Sequence, residues 1–330
     1  MLNVSIVIPA WNEQDRIADC LTNALRQSVA PHEVIVVDNR STDDTVGVVR
    51  DFIRDHPEAP VRLLHQDAEQ GLIPTRNYGL NHATGDILGR IDADCMLKPD
   101  WVEVVTALFT DDPRAMGVTG PVLYYDMPAR RVGLKGDDKI RRETYRADGN
   151  RVLLFGSNMA LRATAWHAIS GEVCRDKDDV MHEDVDVSLH LLGKNMKTVY
   201  ARTMICAISA RRMDTSLSSF RTYMKRFNNT FRAHPDHWRN RKSEHALFAL
   251  YPGLRLLYPM YQKYLDALDI NPAERVWFHE HMDLEDAQDD DMDNTMRTDS
   301  THDHSMRNDH AASMPGVTAS TTAGTATPMP

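Results

Sequence analysis

Two aspartates one residue apart, Asp92 and Asp94 in the run GDILGRIDADCMLKPDW, close an apolar, strand-like segment. Two carboxylates so spaced can hold a divalent cation against a diphosphate, because Mg²⁺ and Mn²⁺ prefer oxygen ligands and Mg²⁺ in particular is often shared between carboxylates and phosphates. A solvated acidic turn has the same sequence, so the triplet alone decides nothing. Asp38 directly follows IVV, where helix capping is a poor account of a carboxylate, and it is placed to accept hydrogen bonds from a base or ribose. Ser41, Thr42, Asp43 and Asp44 just beyond it are good helix-start chemistry instead.

Such residues need strand ends to position them. VSIVIPA, EVIVVDN, VRLLHQ and DILGRIDAD are short Val/Ile/Leu-rich runs. Segments of helical spacing separate them, such as Ile17, Leu21, Ala24 and Leu25, then Val46, Val49, Phe52 and Ile53. Alternation of this kind predicts a parallel sheet covered on both faces, with ligands bound outside the carboxyl ends of its strands. The first strand runs into Pro9-Ala10-Trp11-Asn12-Glu13, the second into Asp38, and the fourth into Asp92-Ala93-Asp94. Farther on, GVTGPVLYY has the pattern of one more strand, and Arg130 to Asn150 is polar and irregular, a candidate mobile lid. VLLFGSNMALR is an apolar run broken by Gly156-Ser157-Asn158. Val185, Leu189 and Leu192 have helical spacing, so His182-Glu183-Asp184 opens a helix that Gly193 stops.

The 330 residues include 42% apolar and 7% aromatic ones, as expected of a soluble globular protein. No run approaches the roughly 20 apolar residues of a membrane-spanning helix, and the first strand begins without a signal-peptide pattern, so a cytoplasmic protein is expected. Cys20, Cys95, Cys174 and Cys206 are scattered, which indicates neither a zinc-binding Cys pair nor a disulfide framework. Of the net charge of −10, the segment from Asp283 onward supplies −8, with ten Asp/Glu against two Arg. That segment has almost no large apolar residues and is expected to be a disordered acidic tail, whose His302, His304 and His310 are at most weak metal ligands. Between Leu217 and about Leu268 the pattern is helical, and its first part carries +5 from Arg221, Lys225, Arg226, Arg232, Arg239, Arg241 and Lys242 against Asp236 and Glu244. With the aromatic and leucine residues of HALFALYPGLRLLYPMYQKYL, this extension can either pack on the body or lie on an anionic membrane surface through residues 217–265.

VSIVIPAWNE, EVIVVDNRSTDDT, GLIPTRNYGLNHATGDILGRIDADCMLKPDW, FGSNMALRATAWHAISG and HEDVDVSLHLLGK occur in an order and spacing that resemble the family 2 glycosyltransferases of the GT-A fold, over roughly residues 3 to 212. The resemblance implies an α/β GT-A fold, a Rossmann-like and mainly parallel sheet flanked by helices. It also implies a non-processive, inverting transferase of the hexosyltransferase type. Such an enzyme passes a sugar from a nucleotide diphosphate sugar, usually UDP-linked, to an acceptor hydroxyl in cell-envelope glycan, glycolipid or polysaccharide synthesis. Residues 1–110 would form the nucleotide-sugar-binding half, 111–215 the acceptor-binding half, 216–270 a helical extension and 271–330 a linker and the acidic tail. The expected partners are the donor and a glycan or lipid-linked acceptor, with no nucleic acid, in the cytoplasm or at the inner face of the plasma membrane.

On this resemblance Asp38 would bind the base, with Pro9, Ala10 and Glu13 as the nearby wall. Asp92 and Asp94 would face the ribose-diphosphate and hold Mn²⁺ or Mg²⁺, Asp94 most directly. Arg76 would either add a second positive group there or pair with Asp67 or Glu69. Asp184 would be the base that activates the acceptor hydroxyl, and Glu183 would orient the acceptor or a neighbouring donor. Gly156, Ser157 and Asn158 would lie beneath the donor sugar, Asn158 bonding its hydroxyls. Many relatives have glycine at the positions of Arg40 and Asp44 and a histidine near Ser209; here Arg211 and Arg212 follow instead and are expected to bind the donor diphosphate or an anionic acceptor. The Gln-x-x-Arg-Trp segment of processive members is absent, which argues against a polymerase. A dehydrogenase would want G-x-G-x-x-G after the first strand, and a glycoside hydrolase has no need of a base-binding Asp38. A catalytically silent sensor or scaffold that binds nucleotide sugar remains the alternative.

Overall fold

The computed structural model describes residues 2–176, 178–234, 242–273 and 276–277, with the side chains of 147 and 242–250 excepted. Along the chain these form β1 (Val4–Ala10), α1 (Ile17–Leu25), β2 (Glu33–Asp38), α2 (Thr45–Asp55), β3 (Val61–His65), α3 (Leu72–His82) and β4 (Ile87–Arg90). There follow β5 (Met96–Leu97), α4 (Trp101–Asp111), β6 (Ala115–Thr119), β7 (Val122–Tyr124), α5 (Arg130–Ala147), β8 (Met159–Arg162) and α6 (Ala163–Ile169). The last elements are α7 (Glu183–Gly193), β9 (Lys197–Tyr200), β10 (Cys206–Ile208), a 3₁₀ turn over Arg211–Asp214, α8 (Leu217–Ala233) and α9 (Lys242–Ala267).

The main sheet has the order β3-β2-β1-β4-β8-β6-β9. β1 to β4 run parallel, β8 is antiparallel to both β4 and β6, and β9 is parallel to β6. The sheet thus passes without a break from residues 1–110 into residues 111–215 through β4 and β8. Alternation along the first two strands sends Ile6, Ile8, Val34 and Val36 to one face, against Ile17 and Leu21 of α1 and Trp101, Val105 and Phe109 of α4. Val7, Ile35 and Val37 go to the other, against Leu80 of α3, Trp166 of α6 and Val187 and Leu191 of α7. Near-continuous apolar strands are what burial on both faces requires.

Two expectations fail for identifiable reasons. GVTGPVLYY is two strands, β6 and β7, in different sheets, β7 joining β5 and β10. The chain turns at Gly120-Pro121, where a Cβ on Gly120 would lie 1.9 Å from the Met204 carbonyl oxygen and Pro121 has no N–H to continue a ladder. Arg130 to Asn150 is not an irregular lid. It is the 18-residue helix α5, held by Asp137–Arg141 and Asp138–Arg142 ion pairs one turn apart and by buried Leu134 and Tyr145. Charge pairing at i,i+4 sustains a helix whose apolar periodicity is weak. The acidic tail with His302, His304 and His310, and the stretch holding Asp236, Arg239 and Arg241, lie outside the described residues. All four cysteines are free thiols. No described helix is long and apolar enough to cross a membrane.

Candidate active site

Asp38 ends β2 beside Ala10, its register partner at the end of β1. Its Oδ2 accepts from the backbone N–H of Arg40 at 3.1 Å and of Ser41 at 3.4 Å. These bonds hold Arg40 in a left-handed turn with φ 62°, so the loop keeps a glycine-like shape without glycine. Asp38 Oδ1 is buried and without a hydrogen-bond partner. An orphaned acceptor at a strand end has room in its hydrogen bonding for an N–H or O–H from a ligand or from water. Pro9 and Ala10 are buried beside it, and Glu13 follows in the loop.

Beyond β4, Asp92 and Asp94 diverge. Asp92 is a third exposed; its Oδ1 lies 2.8 Å from Arg90 Nη2 and its Oδ2 accepts from Ser157 Oγ. Asp94 is buried, its Oδ2 3.0 Å from Arg211 Nε. Burial pushes its carboxyl up to about 7; the Arg211 charge opposes the rise, and Asp92 and Glu13 add to it. Asp92, Asp94 and Cys95 each offer an atom within 4.8 Å of the others. Burial raises the Cys95 thiol well above its usual range, and hard oxygen-seeking cations such as Mg²⁺ favour the two carboxylates over a thiol. Two carboxylates with an under-compensated buried charge suit Mg²⁺ or Mn²⁺, their remaining positions going to water and phosphate oxygens. Ser209 Oγ donates to Asp126 at 2.6 Å and so is committed elsewhere.

The acidic pair of α7 meets this cluster through the Gly156-Ser157 turn. Gly156 N donates to Asp184 Oδ2 at 2.9 Å, and Val185 N to Asp184 Oδ1 at 2.8 Å. The same turn's Ser157 reaches Asp92, so one dipeptide links residues from β4 and α7. Glu183 Oε1 lies 3.1 Å from Arg90 Nη2. Arg90 therefore stands between Asp92 and Glu183, with its side chain only 2% exposed. Gly156 is required beside it: a Cβ there would lie 2.0 Å from Arg90 Nη1 and 3.0 Å from Glu183 Oε1. Sequence reasoning missed Arg90. Its signal was a charge inside an apolar strand run, which must be paired to be buried.

Two expected ligand contacts, those of Asn158 and Arg76, are corrected by geometry. Asn158 is fully buried and accepts from Trp101 Nε1 while its amide donates to the carbonyls of Pro121 and Met204, so its side chain ties the start of α4 to the β6–β7 and β9–β10 connections and has none of its donors left for a sugar. Arg76 lies in the second turn of α3, which begins at Leu72, and pairs with neither Asp67 nor Glu69. Buried, it donates to the Glu183 carbonyl at 2.8 Å and to Asn77 Oδ1, positions that steady the start of α7 and leave the diphosphate to others. Arg211 is committed to Glu13 through both terminal nitrogens, as well as to Asp94, while the Arg212 guanidinium stacks 4.1 Å above Tyr223. His182 packs against Tyr223 and Phe227, and burial lowers its pKa to about 4, so the ring is neutral at the mouth of α7.

The model of glycosyl transferase family 2 matches residues 5–167, and that of glycosyl transferase family group 2 matches residues 90–278. Glycosyltransferase AglE of Haloferax volcanii is 37% identical over 103 residues, 30% of this chain and 33% of that one. A chondroitin synthase of Escherichia coli is 35% identical over 109 residues, 33% of this chain and 16% of the other. The chain thus spans a third or less of the length of these relatives. Among solved structures, the mannosyltransferase PcManGT from Pyrobaculum calidifontis, in complex with GDP-Man and Mn²⁺, superposes with a TM-score of 0.55 at 20% identity, covering 83% of this chain and 78% of its own. Its likeness carries the GT-A fold. With the family models spanning the strand ends and the acidic helix together, the chain belongs to the family 2 glycosyltransferases.

Proposed function

We propose that the protein transfers a sugar, with inversion, from a UDP-linked donor to an acceptor hydroxyl in the synthesis of a cell-envelope glycan, glycolipid or polysaccharide. The observation that carries this reading is the bridge from Asp92 through Ser157-Gly156 to Asp184, which sets a cation-binding carboxylate and a candidate base about one dipeptide apart. In the proposal Asp38 Oδ1 accepts from the base N–H, with residues 1–110 holding the donor and residues 111–215 presenting the acceptor. Asp92 and Asp94 hold Mn²⁺ or Mg²⁺, which when bound stabilises the charge that develops on the departing diphosphate. Asp184 takes the proton of the acceptor hydroxyl; two backbone N–H groups fix its oxygens and leave a lone pair free for the acceptor. Glu183, held by Arg90, orients the acceptor, and Arg212 lies nearby for an anionic one. PcManGT, described with GDP-Man, makes the base a point to test, since guanine also presents an N–H that Asp38 can accept.

The extension supports peripheral membrane contact as part of this reading. On α9, Tyr251, Tyr258 and Leu265 are buried, while Leu256, Leu257, Met260, Tyr264 and Leu268 beyond its end are exposed among Arg255 and Lys263. One face packs on the body and the other presents an apolar stripe, which suits a lipid-linked acceptor. The test of the function is nucleotide diphosphate release from a panel of UDP- and GDP-sugars with Mn²⁺ or with chelator. Release of UDP that needs Mn²⁺ and rises with acceptor supports the enzyme. Tight donor binding without release under any acceptor would favour the silent sensor instead.

A further inference from the structure

A second group of ligating side chains lies on α7 away from the donor cluster: Asp186, His190 and the residue that ends α8, His234. Asp186 and His190 share one face of α7 at i,i+4, and α8 delivers His234 to the same face. His234 Nε2 lies 2.8 Å from Asp186 Oδ1, and His190 Nε2 lies 3.6 Å from that same oxygen, beyond hydrogen-bond length. The two rings meet edge to face, with centroids 4.8 Å apart and planes at 85°. A ligand atom from each of the three residues lies within 4.8 Å of the other two.

We propose that Asp186, His190 and His234 bind a zinc-type divalent cation that fastens the end of α8 to α7. A four-coordinate ion with bonds of about 2.0–2.1 Å sets its ligand atoms about 3.3 Å apart, between the two nitrogen–oxygen separations observed, so each histidine needs to shift only a few tenths of an ångström relative to Asp186. Two imidazoles and a carboxylate favour zinc over Mg²⁺ or Ca²⁺, which take all-oxygen shells. The surroundings are those of a built site. Cys174 N donates to Asp186 Oδ2 at 2.9 Å and fixes that carboxylate. Glu172 Oε2 stands 4.0 Å from His190 Nδ1, on the ring side away from Asp186, where a metal-bound histidine usually faces a carboxylate. Asp186 is buried, whereas the His190 and His234 side chains are 19% and 12% exposed, which leaves a way in for the ion and a position for water. The consequence is positional: α8 carries Tyr223 and Phe227, which cover His182 at the start of α7, so the ion ties that cover to the helix bearing Asp184.

The full chain, stripped with chelator, is titrated with Zn²⁺ against a chromophoric competitor. Wild type and the Asp92→Asn/Asp94→Asn variant are each expected to take up one tight equivalent that His190→Gln/His234→Gln does not. At a hundredfold excess over Kd the wild-type Tm should rise by about 5 °C, and that of the double histidine variant should not. Equal uptake by wild type and the histidine variant, or uptake lost with Asp92 and Asp94, overturns the proposal. If the double variant does not fold, His234→Gln alone decides, because it alters only a helix end: its zinc affinity must fall at least tenfold, and an unchanged affinity overturns the site.

Discussion

Replacing Arg90 by Met removes the cation between Asp92 and Glu183 while nearly keeping its volume. The guanidinium lies 2.8 Å from one carboxylate and 3.1 Å from the other, with its side chain 2% exposed. At an effective dielectric constant of about 20, each contact is worth about 5–6 kcal/mol gross. Desolvation of the ions offsets most of that, several kcal/mol apiece, so the net worth of the triad is small. The cost of the substitution is different: it leaves two carboxylates facing each other without a counter-charge. Breaking a buried pair in this way costs about 3–5 kcal/mol, and because the Asp92 side chain is 35% exposed and keeps Ser157, the lower end applies, about 3 kcal/mol. Urea unfolding followed by tryptophan fluorescence should show a midpoint lower by on the order of 1 M. Donor turnover in the folded variant should fall at least about tenfold, as Glu183 and Asp92 lose their shared anchor. A variant within about 0.5 kcal/mol of wild type, the scatter of ordinary surface changes, would refute the assignment of Arg90 as the positioning residue.

Gly156→Ala forces a methyl into Arg90 and is expected to cost about 1–3 kcal/mol with a parallel fall in turnover; wild-type melting and kinetics would show that the turn has room. At Glu33, burial would raise the pKa, but hydrogen bonds from Thr84, Ser5 and Arg62 outweigh it and bring it from 4.5 to about 2. A depressed carboxylate stabilises the fold above its unfolded pKa and loses that contribution as pH falls through the folded value. Stability should therefore decline between pH 4.5 and 2, and Glu33→Gln should flatten that limb; parallel acid-unfolding curves for the two proteins would exclude the effect. The full chain should pellet with anionic vesicles, and Leu256→Ser/Met260→Ser should not; equal pelleting of both would remove the α9 stripe as the contact.

The first half of the fold was legible in the sequence because its physics is local. Apolar runs of strand length, punctuated by Asp38 and by Asp92-Ala93-Asp94, announce parallel strands and their carboxyl ends. Long-range pairing is not written that way. Asn158 has the residue type of a sugar ligand, yet Trp101, Pro121 and Met204, remote in sequence, claim its side chain. Arg76 likewise turns inward to Glu183, 107 residues away. α5 escaped because few apolar residues, chiefly Leu134 and Tyr145, mark its buried face, while charged residues and their ion pairs fill most of its length. His234 has no local pattern at all, and only the crossing of α8 over α7 gives it partners.

The central claim is that Asp184 does the proton transfer while Asp38, Asp92 and Asp94 hold the donor. Donor affinity and nucleotide diphosphate release, measured with Mn²⁺ and acceptor on the same samples of wild type and Asp184→Asn, test it most directly. The affinity should stay within about twofold of wild type while turnover falls by about 10²-fold or more. Retained turnover in Asp184→Asn, or loss of donor binding along with turnover, would contradict it.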